Sequence, residues 1–351
     1  MAYSSIIKPS TFMNPKIYTG NGNANNAITG VGFQPNWVWI KKRSGADAHY
    51  IFDSVRGVDK QIQSNSTAAE YDYSGDTHRT LTAFGSDGFT LQTSDGVNHN
   101  NQTFASWNWK AGTSVSGNSG GSGTAKSYTG SVSTASGFSI IKYIGNGSSG
   151  HTIPHHLGAI PQWVVIKELP NASDWMGYHQ VLGNTKTIKL NEPDTPVTGS
   201  GYWNNTTPTS SVVTLGSSGE INQNDTNYVM YAFSEKQGYS KFNSYTGNSN
   251  ADGTFIYTGF KPAFFMAKAS GRSENWYIFD NKRLGYNVDN NQLYADTTST
   301  EGTTDYIDIL SNGIKFRYNS VGLNGSGENY IYMAFAENPF VASNFNAATA
   351  R

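Results

Sequence analysis

One phrase occurs three times in this chain of 351 residues. It opens as Tyr18-Thr19-Gly20-Asn21-Gly22, Tyr143-Ile144-Gly145-Asn146-Gly147 and Tyr245-Thr246-Gly247-Asn248-Ser249. It continues as Pro35-Asn36-Trp37-Val38-Trp39-Ile40-Lys41, Pro161-Gln162-Trp163-Val164-Val165-Ile166-Lys167 and Pro262-Ala263-Phe264-Phe265-Met266-Ala267-Lys268. It closes on Phe104 to Trp109, Tyr228 to Phe233 and Tyr330 to Phe335. The openings lie 125 and 102 residues apart, the prolines 126 and 101, and the closing segments 124 and 102. Three anchors with matching offsets define a repeated unit, and a repeat constrains architecture ahead of any local propensity.

Within a unit the signals are those of strands. The closing segment alternates, with Ala105/Trp107/Trp109, Val229/Tyr231/Phe233 and Ile331/Met333/Phe335 on one face. A period of two with a consistently apolar face marks a strand lying on a core. The segment after the proline is apolar on both faces, which predicts a central strand. Asp87-Gly88, Asp95-Gly96 and Asn312-Gly313 read as hairpin turns. Abundant Gly (38), Tyr (21) and Phe (18) favour turns and pleated surfaces over helices. The expected fold is all-β: three tandem antiparallel β-sandwich domains of jelly-roll-like type.

The expected boundaries are an N-terminal arm over 1–14, repeat 1 over 15–112, a Gly/Ser-rich linker over 113–136, repeat 2 over 137–238, repeat 3 over 239–340, and a C-terminal tail over 341–351. The linker has flexible-spacer composition and accounts for the larger first offset. Only a turn separates the second and third repeats, which predicts that they form one block with the first set apart.

Charge and composition exclude several classes of function. Net charge is −1 with 14% charged residues, so the chain lacks the basic field that nucleic acid requires. No apolar run approaches the roughly 18 residues that predict a membrane-spanning helix. Met1 to Ser10 has neither the basic nor the apolar region of a secretory signal, which predicts synthesis in a cytoplasm. With no cysteine, disulfides and thiolate chemistry are absent. No cofactor is expected.

Candidate chemistry is sparse. The cluster His151-Thr152-Ile153-Pro154-His155-His156 is the best arrangement for a metal, yet no carboxylate stands nearby to complete a ligand set. Asp53 and Asp280 share a Tyr-Ile-Phe-Asp motif and read as turn or strand-end residues rather than as a glycosidase pair. Gly121-Ser122-Gly123-Thr124-Ala125-Lys126-Ser127 lacks the glycine before lysine of a phosphate loop. No catalytic residue and no metal site is expected, and the chain is read as a non-enzyme. What remains is aromatic and amide-rich loop surface. Tyr202, Trp203 and Asn204 in one loop, and Tyr71 and Tyr73 in another, are the residue types that bind glycans. An aromatic plate takes the sugar's apolar face and amides take its hydroxyls.

The first repeat carries a family likeness. Ile28 to Lys41, Tyr50-Ile51-Phe52-Asp53-Ser54-Val55-Arg56-Gly57, Phe84 to Phe89 and Ala105-Ser106-Trp107-Asn108-Trp109-Lys110-Ala111-Gly112 together resemble an uncharacterised repeat domain of virion proteins of tailed bacteriophages, especially marine ones. Glu337-Asn338-Pro339-Phe340 is similar to the way such proteins end. The resemblance implies a structural virion protein and leaves its place in the particle open. With the repeats and the absent cysteines, the expected function is a tail-fibre or adsorption-apparatus component contacting host surface polysaccharide. The alternatives are a capsid decoration protein and a carbohydrate-binding or carbohydrate-active protein. The resemblance further implies a location in the virion, other virion proteins as partners, and a homo-oligomer, trimeric by analogy. Nucleic acid and membrane insertion are not expected.

Overall fold

The computed structural model describes residues 4, 6–283, 287 and 290–340; the expected tail over 341–351 lies outside the described residues. Strands dominate, and every strand pairing is antiparallel.

After a 3-10 turn at Pro9–Thr11, the first repeat contributes β1 (Met13–Thr19), β2 (Asn26–Thr29), β3 (Trp37–Lys42), β4 (His49–Asp53), β5 (Lys60–Gln63), β6 (Tyr71–Asp72), β7 (Leu81–Gly85) and β8 (Gly88–Leu91). The helical turn α1 (Asp95–Asn98) and β9 (Thr103–Trp109) complete it. One sheet runs β1-β9-β3-β4-β5-β6 and faces a second, β2-β8-β7. The strand after the proline is indeed central. Asp87-Gly88 closes a hairpin, but Asp95-Gly96 starts α1 instead of a turn between strands.

The second repeat contains β10 (Thr113–Asn118), β11 (Gly120–Gly121), β12 (Ser127–Ser133), β13 (Phe138–Ile144), β14 (His151–Pro154), β15 (Trp163–Glu168), β16 (Trp175–His179), β17 (Lys186–Lys189) and β18 (Val197–Thr198). It ends with α2 (Ser200–Trp203), β19 (Val212–Leu215), α3 (Gly219–Asn222) and β20 (Asn227–Phe233). Its sheets run β10-β12-β13-β20-β15-β16-β17-β18 and β11-β14-β19.

The third repeat has β21 (Ser240–Thr246), β22 (Phe255–Tyr257), β23 (Phe260–Ala269), β24 (Tyr277–Asp280), β25 (Leu293–Tyr294), β26 (Ile307–Leu310), β27 (Gly313–Phe316), α4 (Val321–Asn324) and β28 (Asn329–Pro339). Its sheets run β21-β28-β23-β24-β25 and β22-β27-β26.

Two boundary expectations are corrected. Residues 113–136 are not a flexible linker but part of the second repeat. There β10 pairs with β12, β12 with β13, and β11 with β14. Glycine and serine have poor strand propensity, but a neighbouring edge supplies the hydrogen bonds, and Tyr128 and Val132 anchor the segment in the core. The arm over 1–14 is likewise no free appendage. Ile6 and Met13 are buried, and β1 begins at Met13.

Each repeat holds an apolar layer between its large and small sheets, as Val38, Ile40, Phe52, Phe89 and Phe104 do in the first. The outer face of each large sheet is apolar as well, and these three faces merge into one core. It takes Trp37, Trp39, Trp107 and Trp109 from the first repeat, Trp163, Trp175, Tyr231 and Phe233 from the second, and Phe264, Trp276, Met333 and Phe335 from the third. At its centre the last aromatic of each closing strand touches the other two. Ring centroids are 6.5 Å apart for Trp109–Phe233, 5.5 Å for Trp109–Phe335 and 5.7 Å for Phe233–Phe335. The repeats therefore close around a pseudo-threefold axis. The expected block of repeats two and three, with repeat one set apart, is replaced by three mutually packed units. A repeat taken alone would expose this face, and each large side chain left in water forfeits about 1.5–3 kcal/mol.

Candidate interaction surface

Polar groups seal the three seams in a cyclic pattern. Lys41, Lys167 and Lys268 end equivalent strands and are fully buried. Each ammonium reaches a backbone carbonyl of the preceding repeat in the cycle: Lys41 donates to Thr298 at 3.4 Å, Lys167 to Thr67 at 3.2 Å and Lys268 to Pro193 at 2.7 Å. The same carbonyls accept the N–H groups of Asp47, Ser173 and Glu274. Burial lowers all three lysines to about 8, against the pull of nearby acids. A second pair of seam bonds joins Glu70 N–H to Leu169 and Glu301 N–H to Arg43. The equivalent position in the second repeat is Pro196, which has no N–H to give.

Asp53 and Asp280 end β4 and β24, as their reading as strand-end residues anticipates. Each carboxylate accepts two backbone N–H groups of the following turn, Val55 and Arg56 in one case and Lys282 and Arg283 in the other. Each also pairs with the arginine three residues on, Arg56 or Arg283. Burial alone would raise the Asp280 carboxyl, but Arg283 and its hydrogen bonds hold it below the usual range. The equivalent positions in the second repeat are His179 and Leu182, which cannot form the carboxylate–arginine pair. Burial takes His179 down to about 4, and its Nε2 lies 3.3 Å from the Tyr332 carbonyl.

A further triplet of side chains recurs in all three repeats. Asn98, Asn222 and Asn324 end α1, α3 and α4 and are fully buried. Their Oδ1 atoms accept the N–H of Asn21, Asn146 and Asn248, each at 3.0 Å. Their Nδ2 groups donate to Asn23, Ser148 and Asn250 carbonyls. The opening Gly-Asn phrase is thus pinned by one buried amide in each repeat. The signal lay in the spacing, since these asparagines sit 124 and 102 residues apart, as the closing strands do.

The candidate glycan residues part company. Trp203 is fully buried and packs edge-on against Tyr178, so it cannot serve as a sugar plate. Its indole fills the second repeat's core because α2 turns it inward. Tyr202 is half-buried against the same core, and Asn204 caps α2 in a left-handed conformation. Tyr71 remains exposed, with the Tyr73 ring 4.4 Å away at 57°. Among the described residues no hydrogen bond or ring contact joins this pair to the 202–204 loop.

The histidine cluster is consumed internally. His151 uses both ring nitrogens, on Asn222 and Ser119. His155 accepts from Leu157 N–H and lies against the Thr209 carbonyl, and burial lowers it to about 4. His156 meets the Tyr128 hydroxyl at 2.9 Å. No group of three potential ligands is found among the described residues.

The opposite ends of the seams differ from one another. Between the first and second repeats lies a groove of about 490 Å3, lined by Asn36, Ser54, Ser114, Ser116, Thr129 and Ser131 among others. The equivalent recess between the third and first repeats is about 270 Å3 and carries Lys282 and Glu337. Between the second and third, Gln180 Nε2 donates to the Phe242 carbonyl, and within the second repeat beside it Gln162 Oε1 accepts the Glu235 N–H.

A family model described as a domain of unknown function, DUF7483, matches residues 8–339. The chain belongs to the DUF7483 family. The match runs through all three repeats, so the DUF7483 region includes every seam described above. No curated protein and no solved structure matches the chain.

Proposed function

We propose that this DUF7483 chain is a structural protein of a bacteriophage virion surface, part of a tail fibre or adsorption apparatus that contacts host surface glycan. The observation that carries this reading is the closure of the three repeats. Their recurrent polar groups, the lysines, asparagines and aspartates, are all spent on holding sheets together, which is the economy of a scaffold. Contact with other molecules then falls to what differs between repeats, and variable loops on a constant frame are where binding tends to reside. The exposed Tyr71/Tyr73 pair is such a loop. The virion assignment itself rests on the resemblance carried by the first repeat.

Gold-labelled antibody to the chain, applied to purified particles, tests the assignment. Label on the tail supports it; label on neither tail nor head overturns it. The compact threefold body, with no long extended element among the described residues, favours a head-surface protein as the second reading, and label on the head would establish that instead. The homotrimer belongs to the same proposal. Light scattering of the purified chain reads it, three copies supporting the trimer and one copy overturning it.

A further inference from the structure

The segment 113–133 occurs in one repeat only, and it alters one seam only. Its strands β10 and β12 lie side by side in the register Ser114↔Ser131 and Ser116↔Thr129. Residues directly opposite one another share a face of the sheet. These four hydroxyls therefore form a two-by-two grid on the face away from the core that Val115 and Tyr128 enter. The grid makes one wall of the 490 Å3 groove, and Asn36, Ser54 and Val55 of the first repeat make the other.

The groove is chemically uniform. Its lining holds no charged side chain, only hydroxyls, one amide, glycines and two valines. Ser131 Oγ accepts the Gly112 N–H at 2.8 Å, and Ser54 Oγ accepts Asn36 Nδ2 at 3.0 Å, so both hydroxyl protons are free to point into the groove. Ser114, Ser116 and Thr129 make no side-chain hydrogen bond to described residues and keep both donor and acceptor capacity. Gly112 has φ of +112°, and a Cβ there would meet nothing within 4 Å, so the floor stays open. A phosphate or carboxylate would find no cation here, and a metal or amine no carboxylate. A ligand carrying many neutral hydroxyls finds partners of both kinds at strand spacing, and the volume falls within the usual range for small-molecule sites.

We infer that the groove between the first and second repeats is a binding site for a neutral saccharide, built by the inserted strands. This inference rests on the reading of the chain as a glycan-contacting protein and places the contact at a seam, away from the Tyr71 loop. Of the two equivalent seams, one carries the charged side chains Lys282 and Glu337 and the other is bridged by Gln180, so among the described residues the site occurs at one seam.

The full chain is applied to an array of neutral glucose, galactose and rhamnose oligosaccharides beside sulfated and sialylated ones. The strongest neutral binder is then titrated against the Ser116→Ala/Thr129→Val double variant and against Tyr71→Ala. Both substituted groove positions are exposed, so circular dichroism should be unchanged. The expected result is selection of neutral over anionic glycans, a roughly tenfold loss in the double variant, as two neutral hydrogen bonds imply, and no loss in Tyr71→Ala. Absence of any neutral binder overturns the inference. So does a binder lost in Tyr71→Ala and retained in the double variant, which would leave the adsorption reading intact with its contact at the tyrosines. Groove binding by a protein that labels no particle would instead keep this site and remove the virion assignment.

Discussion

The phenol of Tyr231 in the second repeat donates to the Asp53 carboxylate of the first at 2.6 Å, with both residues fully buried. One step round the axis, Trp107 Nε1 of the first repeat donates to Asp280 of the third at 2.9 Å. The acceptor is the same, the donors differ, and the geometry of the seam is kept. In the remaining seam Met333 occupies the donor position and His179 the acceptor position, so the polar bond has been replaced on both sides together.

Tyr231→Phe should cost about 1.5–3 kcal/mol, the usual worth of a hydrogen bond to a charged group. Asp53→Ala should cost more, about 3–5 kcal/mol, because it leaves the buried Arg56 with Glu70 as its remaining carboxylate and also strips the acceptor from the Val55 and Arg56 N–H groups and the Tyr231 phenol. Urea denaturation of the two variants checks both, and a neutral Tyr231→Phe would contradict the seam's role.

The shared core predicts one unfolding event for the whole chain. Tryptophan fluorescence and far-ultraviolet circular dichroism should give superimposable transitions. Phe335→Ala, which opens the aromatic triangle, should destabilise by about 3–5 kcal/mol without splitting them. Two resolved transitions would mean that a repeat stands alone.

The three seam lysines predict a dependence on alkaline pH. Their folded-state value of about 8 lies below the ordinary 10.5, so between those limits the unfolded chain holds protons that the folded chain has shed. Stability contributed by these groups therefore rises with pH from about 8 towards 10.5. Buried tyrosines such as Tyr143 and Tyr245 titrate above their ordinary value and act in the opposite direction beyond pH 10. The urea midpoint should increase between pH 7.5 and pH 9.5, and replacing Lys41, Lys167 and Lys268 together by methionine should flatten that rise.

Asn222 accepts one backbone N–H and donates to the Ser148 and Gly216 carbonyls at 3.0 and 2.7 Å. Asn222→Ala should cost about 1–3 kcal/mol and speed hydrogen exchange at the Asn146 amide. At the equivalent position of the third repeat, Asn324→Asp sets an ionised carboxylate against the Asn250 and Tyr318 carbonyls, so its deficit should shrink as pH is lowered and the acid protonates. A deficit that stays constant with pH would argue against this hydrogen-bond assignment.

The strands were legible because their alternation and their offsets agree. The meaning of that alternation was not. The tryptophan-rich face of β9 reads as the side packed inside its own sandwich, yet it faces the other repeats, while the mixed face of Phe104, Ser106 and Asn108 lies inward. A strand buried on both sides cannot reveal which apolar face belongs to which core, because both satisfy the same period. Residues 113–136 depart from the expected linker for a related reason: composition describes a segment alone, whereas their strand state depends on an edge offered from elsewhere in the chain. Trp203 turns inward against expectation because a four-residue helical turn is too short to show a period, and nothing in the loop sequence indicates which way the indole points.

Fusing three similar sheets into one polypeptide frees each from having to match the others. In an assembly of three identical chains, any change appears on every side at once. Here a stretch inserted at residues 113–133 remodels one flank and leaves the other two untouched. The molecule thus has one flank unlike its other two, an asymmetry that three identical chains could not build.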